Sequence, residues 1–157
     1  MNIRTNASSG RLATLTDAWR TLRRDIPLPE PALVSLEPTI NRITIQGGSG
    51  RDALDHVAHL LLWVYTLKQV NAQWWHTPDG HLHLTIQGRT GTGVAVNAYG
   101  GIPFDHCAGL VALAPGESEG VSLDEMYTLL VPLRDHHHHV TTAGVTACRR
   151  PLQTSST

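Results

Sequence analysis

Five side chains that could ligate a metal fall in two short stretches. Asp55, His56 and His59 lie in DALDHVAH, residues 52–59, and His81 and His83 lie in HLHL, residues 81–84. On a helix, Asp55 and His59 are four residues apart and His56 and His59 three, so the three side chains neighbour one another. On a strand, His81 and His83 point to the same side. Imidazole and carboxylate suit zinc, and three such ligands plus water make a catalytic site. The order of residues departs from the metalloprotease pattern. H-E-x-x-H needs histidine at both ends and glutamate after the first, whereas DHVAH puts Asp55 first and His56 where the glutamate would be. Histidine sets of this kind also serve as hydrogen-bonded networks or pH-sensitive contacts. Zinc held by Asp55, His56, His59, His81 and His83 is therefore the alternative reading, and no bound cofactor is the first.

The helix carrying Asp55 is preceded by QGGSGRD, residues 46–52. A strand, a glycine turn and a helix N-terminus can bind an anion through free N–H groups and the helix dipole. This segment lacks the Lys and Ser/Thr of a P-loop and does not fit G-x-G-x-x-G. A simpler account covers every residue: Ser49 caps the helix, Asp52 favours its first turn, and the glycines allow a tight approach. GRTGTG, residues 88–93, is followed by a strand rather than a helix and has less claim to be a phosphate site.

Cys107 follows Asp105 and His106. In an extended segment neighbouring side chains point to opposite faces, so the pattern favours a buried, inert thiol over a nucleophile. Trp74, Trp75 and His76 form the candidate interaction surface. With no basic stripe beside them, a protein contact or core packing is favoured over base stacking. His136 to His139 form a tract that could bind nickel or zinc without selective geometry.

The elements that would position these residues follow from periodicity. Leu12, Leu15, Trp19 and Leu22 recur at helical spacing, and Pro27, Pro29 and Pro31 end that helix. Ala32–Leu36 and Arg42–Gln46 flank the turn-like EPTIN and read as a hairpin. Residues 50–71 read as the central buried helix, with Leu54, Val57, Ala58, Leu61 and Tyr65 on one face. After Pro78-Asp79-Gly80, HLHLTIQ alternates as a half-buried strand, and Val94–Tyr99 is its partner. Residues 107–114 could add a fifth strand, and the acidic GESEG, residues 116–120, reads as a solvated loop. Ser122 and Glu125 make a capping box for a last helix, which Pro132 should stop or kink. The tetrapeptide TIQG occurs at 44–47 and again at 85–88; independent use of β-branched residues before glycine is favoured over a duplicated hairpin.

The expected architecture is α+β. It is a single domain at 11–134, with an antiparallel sheet of four to five strands built from two hairpins. That sheet packs on a central helix with flanking N- and C-terminal helices. Residues 1–10 are expected to be a flexible N-terminus and residues 135–157 a disordered tail. At 157 residues and 41% hydrophobic the chain can bury a core unaided. A formal net charge of −1 carries none of the basic excess that marks nucleic-acid binders. Such binding would require the arginines of the first helix, Arg20, Arg23 and Arg24, to align with Arg42, Arg51 and Arg89. Eleven arginines against the single Lys68 point to a GC-rich genome, such as an actinobacterium or its phage or plasmid. The longest apolar run, LLLWVY, is far shorter than a membrane span, and no signal peptide is evident. Two cysteines make no disulfide framework. Together these features lead to the expectation of a small cytoplasmic, non-enzymatic accessory or regulatory protein whose partner is another protein or itself.

Overall fold

The computed structural model describes residues 3–48, 52–107 and 109–134. The expected Ser49 cap, Arg51 and the whole of 135–157 lie outside that range. Helix α1 spans Ile3–Asp25, strand β1 Leu33–Glu37, β2 Arg42–Gln46, helix α2 Ala53–Val64, β3 Lys68–His76, β4 His81–Arg89, β5 Ala95–Pro103 and β6 Ser118–Val121. Helix α3 covers 123–134. The class is α+β, with three helices and a six-stranded sheet among the described residues.

The sheet differs from the expected pair of hairpins. Its order is β1-β2-β5-β4-β3-β6, and β2 runs parallel to β5 while every other pair is antiparallel. The parallel join arises because α2 carries the chain from the end of β2 over the sheet before the β3-β4-β5 meander returns it. The two TIQG copies flank the same strand. Ile45 pairs with Ala98 from the parallel side and Ile86 pairs with Ala98 from the antiparallel side. They are thus opposite neighbours of β5, not equivalent positions in two hairpins.

Helix α1 starts at Ile3, inside the stretch expected to be loose, and buries Leu15, Ala18 and Leu22. Asp52 is the N-cap of α2: its carboxylate accepts from the Asp55 N–H at 2.9 Å. That satisfies one of the four donors a helix start leaves open. The helix closes earlier than residue 71. Thr66 N–H and its hydroxyl both donate to Trp63 O, and Leu67 N–H donates to Val64 O. Gln69, the second residue of β3, takes a positive φ of 53° at the strand's irregularity between Lys68 and Asn71. The expected fifth strand at 107–114 does not form among its described residues: 109–110 make a turn, Val111 a lone bridge, and 112–114 no regular element. The sixth strand comes from the acidic stretch: Glu119 pairs with Trp74 in register and also accepts from the indole N–H at 2.8 Å.

The capping box before α3 is formed. Ser122 N–H and Oγ both donate to Glu125 Oε2, at 2.8 and 2.7 Å, and Glu125 N–H donates back to Ser122 Oγ at 3.2 Å. The helix runs on through Pro132 to 134. The core lies between the helices and one sheet face. Leu15 from α1, Val57, Leu60 and Trp63 from α2, and Met126 from α3 meet Ile43, Ile45, Leu82, Leu84, Ile86 and Ile102. Trp19 stacks on Trp63 at 5.8 Å. No described helix is long and apolar enough to cross a membrane.

Candidate functional site

Strand side chains alternate between two faces, and in this sheet the alternation separates two environments. Along β4, Leu82, Leu84 and Ile86 are buried while His81, His83, Thr85 and Gln87 are not. Along β5, Val96, Ala98, Gly100 and Ile102 are covered while Asn97, Tyr99 and Gly101 face the other way. All three helices sit on the first face. Among the described residues no element lies on the second.

Pairing registers assemble this open face into rows. One row runs Leu33, Gln46, Tyr99, Thr85, Gln73 and Gly120 across all six strands. The next runs Gly101, His83, Trp75 and Ser118. Trp75 is 43% exposed, and its ring lies 5.8 Å from that of His83 at 59°. His83 leans the other way over Gly101, where an added Cβ would sit 3.1 Å from the imidazole Cδ2. Gln73, Thr85 and Ser118 complete a shallow hollow of about 340 Å³ around this pair. Tyr99 Oη donates to Gln46 Oε1 at 3.4 Å, and the Asn97 Oδ1 is buried without a partner.

Some of the charges on this face pair with one another, while Lys68, beside Arg89 in register, stands exposed. Arg42 holds Glu37 through two bonds of 3.2 and 3.1 Å, and Thr44 adds a third at 2.6 Å. These bonds, the arginine's first, hold the Glu37 carboxyl below its usual range. Arg89 donates to Gly93 O at 3.0 Å, and His81 Nδ1 lies 3.5 Å from the Asp79 carboxylate. The arginines of α1 lie on the opposite side of the sheet from Arg42 and Arg89. Arg20 pairs with Asp17 there, and Arg23 reaches Glu30 and the carbonyls of Leu28 and Pro29. A continuous basic stripe does not form from Arg20, Arg23, Arg42 and Arg89.

The metal candidates are divided by the sheet. Asp55, His56 and His59 belong to α2 on the covered side, and His81 and His83 belong to the open face. Among the described residues no group of three or more His, Cys, Asp or Glu is arranged to hold a metal ion. His56 packs against the sheet. Its Nε2 is buried without a partner, pressed against Gly100, where a Cβ would overlap it, and close to Gly47. Burial, and then the charge of His59, lowers the His56 pKa below its usual value.

Of the three aromatic candidates only Trp75 is presented. Trp74 and His76 are each 7% exposed and turn inward; the His76 ring stacks on Phe104 at 3.6 Å, and its Nδ1 bonds Leu113 O at 2.8 Å. Cys107 is fully buried, its Sγ donates to Phe104 O at 3.1 Å, and burial pushes the thiol up to about 11. A thiol so placed is a poor nucleophile. Sequence reasoning missed Thr85, Gln73 and Gln46 as companions of Trp75 and His83. The period-two alternation of HLHLTIQ carried part of that signal, because it already put His83 and Thr85 on one side.

Neither family models, curated proteins nor solved structures give a match to this chain, so its own geometry carries the functional reading.

Proposed function

We propose that the chain is a non-enzymatic binding protein, an accessory or regulatory component, and that it meets another protein through the open face of its sheet. The observation that supports this is Trp75 and His83 in one row and Tyr99 in the next, among uncharged amides and hydroxyls, on a face no described element covers. Interface centres are enriched in Trp and Tyr and depleted in free charge. Amides and hydroxyls supply the hydrogen bonds that orient a partner, and a wet rim tolerates them. Nucleic acid has less support: phosphate recognition draws on many unpaired cations, and on this face Arg42 is held by Glu37, which leaves Arg89 and Lys68 in one edge row. No specific observation favours the zinc reading.

The test is a photo-crosslinking amino acid placed at Gln73, with a control at Leu62, which is exposed on α2. The expected result is one discrete adduct from position 73, in cells or in the purified protein, that Trp75→Ala removes. An adduct already present in the purified protein, at twice the chain mass, would identify a second copy as the partner. Equal labelling from 62 and 73, or none from 73, would overturn the reading.

A further inference from the structure

We infer that the cavity between α1, the end of α2 and the β4–β5 turn is a binding site for a small organic ammonium ion, a protonated amine on an apolar body. Its volume is about 540 Å³, within the range of small-molecule sites. Ala18, Leu22 and Ile26 give it an apolar floor, and the first two are core residues. Such a floor takes up a hydrocarbon body.

The rim decides the sign of the ligand. It is lined by hydroxyls, and most have already spent their proton. Thr14 donates to Gly10 O at 3.1 Å, Thr21 to Asp17 O at 2.9 Å and Thr66 to Trp63 O at 2.7 Å. The Thr90 and Thr92 hydroxyls share one hydrogen bond of 2.9 Å, and Thr90 also accepts from Val94 N–H. What the rim offers is therefore mainly oxygen lone pairs. Asp17 adds a carboxylate, whose single recorded partner Arg20 is at 3.4 Å. Among the described residues no lysine, arginine or histidine lines the cavity. Acceptors with a negative charge above an apolar floor match a ligand that brings donors and positive charge.

Tyr65 contributes a second attraction. Its ring lines the cavity and is 67% exposed. Tyr127 on α3 hydrogen-bonds to Tyr65; burial first, and then that bond, pushes the Tyr127 phenol up to about 12. Tyr65 is largely exposed, and an ammonium ion is attracted to an aromatic face within about 6 Å. An anionic ligand would meet the Asp17 carboxylate and rim hydroxyls whose protons are mostly engaged, with Arg20, the cation beside them, already paired to Asp17.

The experiment compares three probes of one shape: cyclohexylammonium, cyclohexanol and cyclohexanecarboxylate, titrated into the ¹⁵N-labelled full chain. The expected result is saturable shifts from the ammonium, confined to the amides of Ala18, Thr66, Gly91 and their neighbours. The alcohol should bind about fivefold weaker and the carboxylate should not bind, the scale of one exposed charge contact. Asp17→Asn, at an exposed position, should keep the spectrum elsewhere and bring the ammonium down to the alcohol's affinity. Equal binding of ammonium and alcohol, binding of the carboxylate, shifts scattered over the surface, or no saturation at the solubility limit would each overturn the assignment.

Discussion

The two faces of the sheet are built from the same kinds of residue and put them to opposite uses. Adjacent glycines on β5 each receive a histidine: Gly100 lies under His56 on the covered face, and Gly101 lies under His83 on the open one. Each side of the sheet also has a tryptophan: Trp63, on α2, on the covered side and Trp75, on β3, on the open one. Trp63 is 1% exposed and stacked on Trp19, whereas Trp75 is 43% exposed beside His83. The difference teaches that residue type does not decide role here. The covered face spends histidine and tryptophan on filling space, and the open face leaves them available to something outside the fold.

The largest test of that contrast is truncation of the two tryptophans. Trp63→Ala removes a fully buried ring and leaves a cavity, which should cost ~3–5 kcal/mol. Trp75→Ala should cost under ~1 kcal/mol, as surface changes do, while abolishing the adduct expected from position 73. Urea unfolding monitored by circular dichroism reads both. Similar losses for the two variants would mean that the open face is covered in solution, and the division into two faces would fail.

A smaller effect separates the glycines. A Cβ at Gly100 would overlap the buried His56 ring, so Gly100→Ala should cost ~1–3 kcal/mol as an overpacked core site. His56→Ala in the same chain should recover much of that loss, because the two changes share one contact. Gly101→Ala meets the His83 ring at 3.1 Å on a face where the ring can lean away, and should cost under ~0.5 kcal/mol. A double-mutant cycle with no coupling between positions 56 and 100 would break the account of His56 as a space-filling residue.

How much of this was legible in the sequence depends on whether the information was local. The hairpin β1–β2, the α3 capping box and the alternation of β4 were readable because their partners lie within a few residues. The strand β3 was not. Val70, Ala72 and Trp74 point to the core with period two, but the apolar run of Leu60 to Tyr65 just before them let the helix pattern extend to 71. The halt at Val64 depends on Thr66 closing the last turn, and a lone threonine after a helix carries little signal. The parallel join of β2 and β5 was hidden for a different reason. It pairs Arg42 with Ala95 across more than fifty residues, and hydrophobic period gives the same pattern for parallel and antiparallel neighbours. Strand β6 sits in GESEG, which propensity assigns to a loop, and it is held by pairing to β3 and by the bond from Trp74 to Glu119. For the site, the sequence put His81 and His83 on one side of a strand. It could not show that the sheet itself would stand between them and His56.

The smallest effect expected is a pH dependence, and it sharpens the comparison of the two histidines. His56 is shifted below its usual 6.5, first by burial and then by His59. The unfolded chain therefore takes up a proton at this position at a higher pH than the folded chain does. Folding stability must rise with pH wherever the unfolded state holds more protons. The contribution of His56 is thus complete above about pH 6.5 and is lost as pH falls from there through the lower folded value. His56→Leu removes the titrating group and also the buried Nε2 that has no partner, and replacing such a group by an apolar one of similar size is close to neutral. The variant should match the parent above pH 7 and gain on it steadily below 6.5 in urea unfolding followed by circular dichroism. His83→Leu on the open face serves as the control that removes a histidine without removing a buried one. A gain on acidification from His83→Leu equal to that from His56→Leu would show that the slope reflects the histidine content of the chain rather than the burial of one ring.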